Sequence, residues 1–133
     1  MQRMIPVFLI MTLLLTGCAA PAPTSTSEAN TYRRVTMQQA VEMMEKEESY
    51  IILDVRTHEE FAAGHIPGAI VIPNETIGTE EIPRLPDKDQ LIMVYCRSGN
   101  RSKQASDKLA RLGYTNVVEF GGIIDWPGEV VTE

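Results

Sequence analysis

The chain has 133 residues, enough for one ordinary domain and not for two. Hydrophobic residues make up 44% of it and charged residues 23%, the balance of a soluble globular protein. Its net charge of −6 repels phosphate backbones and anionic lipid surfaces, so nucleic acid is disfavoured as a partner.

The first segment is set apart by its apolar run. Met4 to Leu15 is 12 residues, almost all apolar, and follows Arg3. A helix needs about 20 apolar residues to span a bilayer, so this run fits the core of a signal peptide instead. Behind it stands Leu15-Thr16-Gly17-Cys18, which resembles the lipobox of bacterial lipoproteins. That resemblance implies cleavage before Cys18 and lipid on its thiol. An ordinary secretory signal, or a buried helix with a chance cysteine, is the competing reading. Residues 1–17 are expected to be the signal segment and residues 18–31 a lipid-anchored tether. The tether is rich in Ala, Pro, Ser and Thr and has no large apolar residue. Removing the signal takes away one cation and no acid and brings the charge to −7. No basic patch helps the attachment, so the lipid must supply it. The protein is expected to be exported and held at a membrane.

Residues 32–133 are expected to form the folded domain. Tyr32 to Val35 reads as a short strand. Thr36 opens a helix, with Gln39 at capping-box spacing, and Met37, Ala40, Val41 and Met44 share one face. Tyr50 to Val55 reads as a strand buried on both faces. Thr57 with Glu60 repeats the capping box and starts a short helix through Ala63. Ala69 to Ile72 is a further strand, stopped by Pro73. Thr79 to Leu85 reads as one helical turn. Leu91 to Tyr95 is a buried strand, Arg101 to Leu112 a helix stopped by Gly113, and Val117 to Phe120 the last strand. Gly121-Gly122 then turns the chain into a short tail around Trp126. Strands alternating with helices predict an α/β fold with a central parallel sheet of about five strands flanked by helices. In such folds the loops at the carboxyl ends of the strands build the active site.

One of those ends carries Cys96-Arg97-Ser98-Gly99-Asn100-Arg101-Ser102, between a buried strand and an amphipathic helix. The pattern suits an anion. Backbone N–H groups of a tight loop converge on one point, and a helix N-terminus adds partial positive charge. Gly99 and Asn100 tolerate the curl, and Arg97 and Arg101 add full charges. A thiol at the mouth of such a loop has its pKa lowered and becomes a competent nucleophile. If Cys18 carries lipid, Cys96 stands alone and no internal disulfide can form.

These seven residues resemble the active-site loop of the rhodanese-like family, in which a cysteine carries a persulfide. Ile52-Leu53-Asp54-Val55-Arg56, then Glu60-Phe61 and Gly64-His65-Ile66-Pro67-Gly68-Ala69, resemble its N-terminal signature. Gly113-Tyr114, Gly121-Gly122 and Trp126 resemble its C-terminal one. The resemblance implies a single-domain sulfurtransferase with Cys96 as the sulfur carrier. It places Arg97, Ser98, Gly99, Asn100, Arg101 and Ser102 around a small sulfur-containing anion such as thiosulfate. The acceptor it implies is a thiol or cyanide, and no cofactor is needed. Arg101 lies five positions after Cys96. Phosphatases and arsenate reductases on the same fold have a loop one residue longer, so this loop suits a single sulfur atom. A phosphatase or arsenate reductase is therefore the less favoured alternative, as is a non-enzymatic rhodanese-like binding or sensing module.

Asp54 and Arg56 follow a buried strand on the same edge and read as an ion pair bracing the cysteine loop, although contact with substrate is open to them. His65 reads as a turn histidine and His58 as a solvated helix residue. Neither has a partner at metal-ligand spacing, so no metal site is expected. Trp126 reads as a core lid for the C-terminal tail, and Met37, Met43 and Met44 as helix packing.

The anchor reading has a direct test. Cys18→Ser should release the domain into the soluble fraction or block its processing, as fractionation and the N-terminal mass will show. A substituted protein that stays in the membrane and is still processed would remove the lipobox from the account.

Overall fold

The computed structural model describes Gly17 and residues 30–133. The expected signal segment and nearly all of the tether, including Cys18, lie outside the described residues. The elements run β1 (Arg33–Arg34), α1 (Met37–Lys46), β2 (Ile51–Asp54), α2 (His58–Ala63), β3 (Ile70–Val71), β4 (Ile92–Cys96), α3 (Asn100–Arg111) and β5 (Val117–Gly122), with short 3-10 turns at Asn74–Thr76 and Ile123–Asp125. The strands form one sheet in the order β1-β5-β4-β2-β3. Every pairing is parallel, as alternation of strand and helix predicts.

Local sequence sets the helix starts. Thr36 accepts the Gln39 N–H at 3.1 Å while Gln39 Oε1 accepts the Thr36 N–H at 2.9 Å, which closes the expected capping box. Thr57 and Glu60 repeat the arrangement at the start of α2. Gly113, at φ 97°, ends α3 in a conformation that a residue with a side chain resists. The segment Thr79 to Leu85 forms bends and a turn and not the helical turn expected of it. Pro83 and Pro86 remove amide donors there, and Leu85 N–H closes a turn onto Ile82 O at 2.9 Å. The helical turn falls earlier, at Asn74–Thr76, where the Thr76 hydroxyl donates to Pro73 O at 2.7 Å.

The period of two along each strand divides the core into two layers. Leu53, Val55, Ile92, Val94, Cys96 and Val117 pack on one face with Ala105 and Leu109 of α3. Ile52, Met93, Tyr95, Val118 and Phe120 pack on the other with Ala40 of α1 and Phe61 of α2, where Met37, Met43, Met44 and Trp126 also lie. Burial on both faces is why β4 reads as an unbroken apolar run. Cys96 shares its face with Ile92 and Val94, so its thiol points toward α3.

Leu53 is fully buried in the layer under α3 and is paired with Ile70 on one side and Val94 on the other. Leu53→Asp places an unpaired carboxylate there. The cost should be about 3 kcal/mol or more, a large part of the roughly 5–15 kcal/mol that holds a small domain together. Chemical denaturation should find the variant largely unfolded. A soluble variant that melts cooperatively at the wild-type temperature would contradict the burial described here.

Candidate active site

The carboxyl ends of β2, β4 and β5 lie side by side, and each contributes to the site. Cys96 closes β4. Beside it the pairing of β4 with β5 slips: Val94 faces Glu119, but Cys96 faces Gly122, so β5 carries one extra residue. Gly121, at φ 99°, takes up this bulge. The slip brings Gly122 directly beneath the chain leaving Cys96. A Cβ on Gly122 would overlap the Arg97 carbonyl, so only glycine allows this approach. The Ile124 N–H then donates to Arg97 O at 3.3 Å and fastens the loop to the turn after β5.

Within the loop, Gly99 adopts φ 108° and opens α3 without a side-chain cap. This curl turns its N–H onto Cys96 Sγ at 3.0 Å. The thiol in turn reaches Ser102 Oγ, 3.5 Å away in the first turn of α3. Cys96 is only 1% exposed. Burial raises its pKa, but the Ser102 hydroxyl and the N–H groups of Ser102, Gly99 and Ser98 act against this, and the net direction is downward. The sulfur thus sits where a negative charge is favoured.

Arg101 does not lie free in the loop. Its guanidinium grips Glu60 of α2 with two bonds, Nη1 to Oε1 at 2.7 Å and Nη2 to Oε2 at 3.0 Å. The Arg101 bond holds the Glu60 carboxyl down at about 2, and Glu60 raises the arginine in return. Glu60 therefore caps α2 and clamps the helix that follows the cysteine loop. Arg97 is exposed, as are Ser98 and Asn100.

Arg97 also lines a cleft of about 500 Å³ with Arg56, Glu60, Ala63, Gly64, Ile123 and Ile124. Cys96 is not on that wall.

Asp54 and Arg56 form the expected ion pair, 2.7 Å apart and almost fully buried. Its further bond runs from Arg56 Nη2 to Gly64 O, at 2.6 Å. The pair braces the turn after α2 and not the cysteine loop, which corrects the role expected of it. His65 is buried in that turn, stacked on Phe61 at 3.7 Å, with Nδ1 held against Phe61 O at 2.8 Å. His58 is exposed at the start of α2.

Two groups at the site were not singled out in the sequence. One is Glu60 as the partner of Arg101, which joins positions 41 residues apart. The other is Glu119, buried at 1% exposure on β5, whose Oε1 accepts the Ser102 hydroxyl at 2.7 Å. A carboxylate inside the strand Val117-Val118-Glu119-Phe120 was the available signal for it.

The site is thus a curled loop at the end of the central strand of a parallel sheet, with the Gly99 N–H turned onto one buried thiol, the arrangement of a rhodanese-like α/β fold. The sequence matches the Rhodanese-like domain family over residues 36–128, and the chain belongs to that family. It is 38% identical over 73 residues to the Thiosulfate sulfurtransferase PspE of Escherichia coli (strain K12), covering 55% of this chain and 70% of that protein. It is 43% identical over 82 residues to a Sulfurtransferase of Allochromatium vinosum, covering 59% of this chain and 73% of that one. Among solved structures, a rhodanese with anions from E. coli superposes with a TM-score of 0.59 at 36% identity, over 64% of this chain and all of that one.

The clamp has a pH signature. The Arg101 guanidinium holds the Glu60 carboxyl at about 2 in the folded protein, below its ordinary value of 4.5, so its contribution to stability is complete above the ordinary value and is lost as pH falls toward 2. The pair is about 30% exposed, so the contribution is screened and should be about 0.5–1 kcal/mol. Glu60→Gln should therefore lower stability by that amount at pH 7, and the gap to wild type should close between pH 4.5 and 2 in denaturant titrations. A gap that stays constant over that range would show that Arg101 is not held by this charge.

Proposed function

We propose that the protein is a sulfurtransferase that carries a sulfane sulfur on Cys96. The observation behind this reading is the thiol itself. Cys96 is the one free cysteine among the described residues and stands at a strand end, with the Gly99 N–H aimed at its sulfur and its pKa lowered. Membership of the rhodanese-like family and the sulfurtransferase names of the relatives support it.

The reaction has two displacements. The Cys96 thiolate attacks the outer sulfur of a donor such as thiosulfate. A new S–S bond forms on Cys96, the donor's S–S bond breaks, and sulfite leaves with the electron pair. A thiophilic acceptor, cyanide or a thiol, then attacks the outer sulfur of the persulfide and the Cys96 thiolate is restored. The persulfide is an anion, and loop N–H groups that favour the thiolate also favour it. Arg97, exposed on the cleft wall, is the charge an incoming anionic donor meets first. Arg101 and the loop residues Ser98, Gly99, Asn100 and Ser102 set the shape and potential around the sulfur. Neither step calls on a metal, a nucleotide or an organic cofactor.

The place of action is part of the same proposal. The lipobox-like Leu15-Thr16-Gly17-Cys18 and the Ala/Pro/Ser/Thr-rich stretch behind it support an exported domain tethered by lipid. The acceptor would then be met outside the cytoplasm, on the periplasmic or extracytoplasmic face of the membrane that bears the anchor.

Sulfur transfer from thiosulfate to cyanide, followed as thiocyanate, tests the activity. Wild type should turn over and Cys96→Ser should not, while its thermal melt stays cooperative. Arg101→Ala should keep the thiol and lose about tenfold in kcat/KM, which corresponds to about 1.4 kcal/mol of transition-state binding. Phosphate esters should be poor substrates because the loop is short. Rapid phosphate-ester hydrolysis with no thiocyanate formed would reverse the assignment.

A further inference from the structure

Ser102 has one hydroxyl proton and more than one group able to take it. Glu119 Oε1 lies at 2.7 Å, Gly99 O at 3.0 Å, Gly121 O at 3.4 Å and Cys96 Sγ at 3.5 Å. The carboxylate is the nearest and the only one charged while Cys96 is a thiol. It is fixed in place, because Oε1 also accepts the Gly121 N–H at 2.8 Å and Oε2 faces Arg34 Nε at 3.3 Å. With the Ser102 proton on Glu119, the Ser102 oxygen presents lone pairs to the sulfur. That suits a thiol, which can donate to it. It does not suit a thiolate, which needs the proton turned the other way.

We propose that Glu119 is a positioning residue that sets the nucleophilicity of Cys96 by competing with the sulfur for the single proton of Ser102. The inference deepens the reading of Cys96 as the sulfur carrier and rests on it. Glu119 and Ser102 are 1% and 0% exposed, so water does not replace either partner and the competition stays between the two anions. Strand parity makes the arrangement possible. Val117 packs on the α3 face of β5, and Glu119, two residues on, points to that same face, where Cys96 and Ser102 also lie.

Other charges near the pair are few among the described residues. Arg34 on β1 weakens the claim of the carboxylate. Arg101 on α3 favours the thiolate and is itself balanced by Glu60 of α2. Arg97 in the loop is exposed and adds a weak pull toward the anion. The loop N–H groups and Arg101 therefore draw Cys96 toward the thiolate, and Glu119 restrains it.

The signs follow from this balance. Glu119→Gln removes the charged acceptor and can offer an amide N–H to Ser102 Oγ, which frees the serine proton for sulfur. Ser102→Ala removes that proton altogether. Arg34→Gln strengthens the claim of Glu119.

The test is the pH dependence of Cys96 alkylation by iodoacetamide in the full-length chain, read by mass on the Cys96 peptide separately from the Cys18 peptide. Glu119→Gln should move the inflection down by about half a pH unit or more, about threefold faster alkylation below it. Ser102→Ala should move it up. In the Ser102→Ala background, Glu119→Gln should produce less than about half of its own shift, because its route to the sulfur is gone. Arg34→Gln lies on an exposed side chain and should move the inflection up, so the competition can be read even if the Glu119 variant does not fold. An inflection that rises or stays in place with Glu119→Gln overturns the proposal. So does an equal fall in both backgrounds, which would mean a bare charge effect, or an Arg34→Gln variant that leaves the inflection where it was. Alkylation needs no sulfur transfer, so these outcomes are separate from a failure of the sulfurtransferase reading.

Discussion

Where the chain leaves Cys96, the carbonyl of Arg97 rests on Gly122 more closely than any side chain would permit. The geometry of the site follows from that contact. It depends on the one-residue slip between β4 and β5, which exchanges Gly121 for Gly122 opposite the cysteine. Once the loop is seated there, it must curl at once to enter α3, and Gly99 supplies the positive φ that lets it do so. The curl aims the Gly99 N–H at the sulfur. A backbone contact thus fixes where the negative charge can sit, and the side chains adjust how strongly.

The adjustment is a balance of opposed terms, which is what a reversible sulfur carrier needs. Burial alone would leave an inert thiol. The loop donors and Ser102 overcome it, and the pKa falls. Arg101 adds positive potential, but Glu60 holds that arginine in place and neutralises part of its field. Two carboxylates therefore surround the site without touching the sulfur, one through an arginine and one through a serine. A thiolate held too firmly would be a good leaving group but a poor nucleophile, so restraint by the carboxylates is consistent with a sulfur that must also attack its donor.

The parts legible in the sequence were those written over short distances. The capping boxes at Thr36 and Thr57 are four-residue patterns, and they start α1 and α2 where expected. β4 is an unbroken apolar run because both of its faces are covered, and the cysteine loop follows from a strand end, a glycine and a helix start. Long-range pairings were not legible. Nothing near Arg101 announces Glu60 as its partner, and nothing near Asp54 and Arg56 says that their brace runs to Gly64 O. Glu119 was readable in principle, since an acid inside a buried strand demands a partner. Finding that partner required knowing that β5 lies beside β4. The absence of a helical turn at Thr79–Leu85 has a local cause, because a polar run interrupted by prolines carries no period.

The central claim is that Cys96 is the atom on which sulfur travels. Its most direct test is the mass of the Cys96 peptide after the full-length protein has been treated with thiosulfate and freed of excess donor. The account predicts the gain of one sulfur atom on that peptide alone, and its removal by a thiol reductant. A Cys96 that is reduced and alkylatable, yet gains no sulfur from thiosulfate or any other persulfide donor, would contradict it.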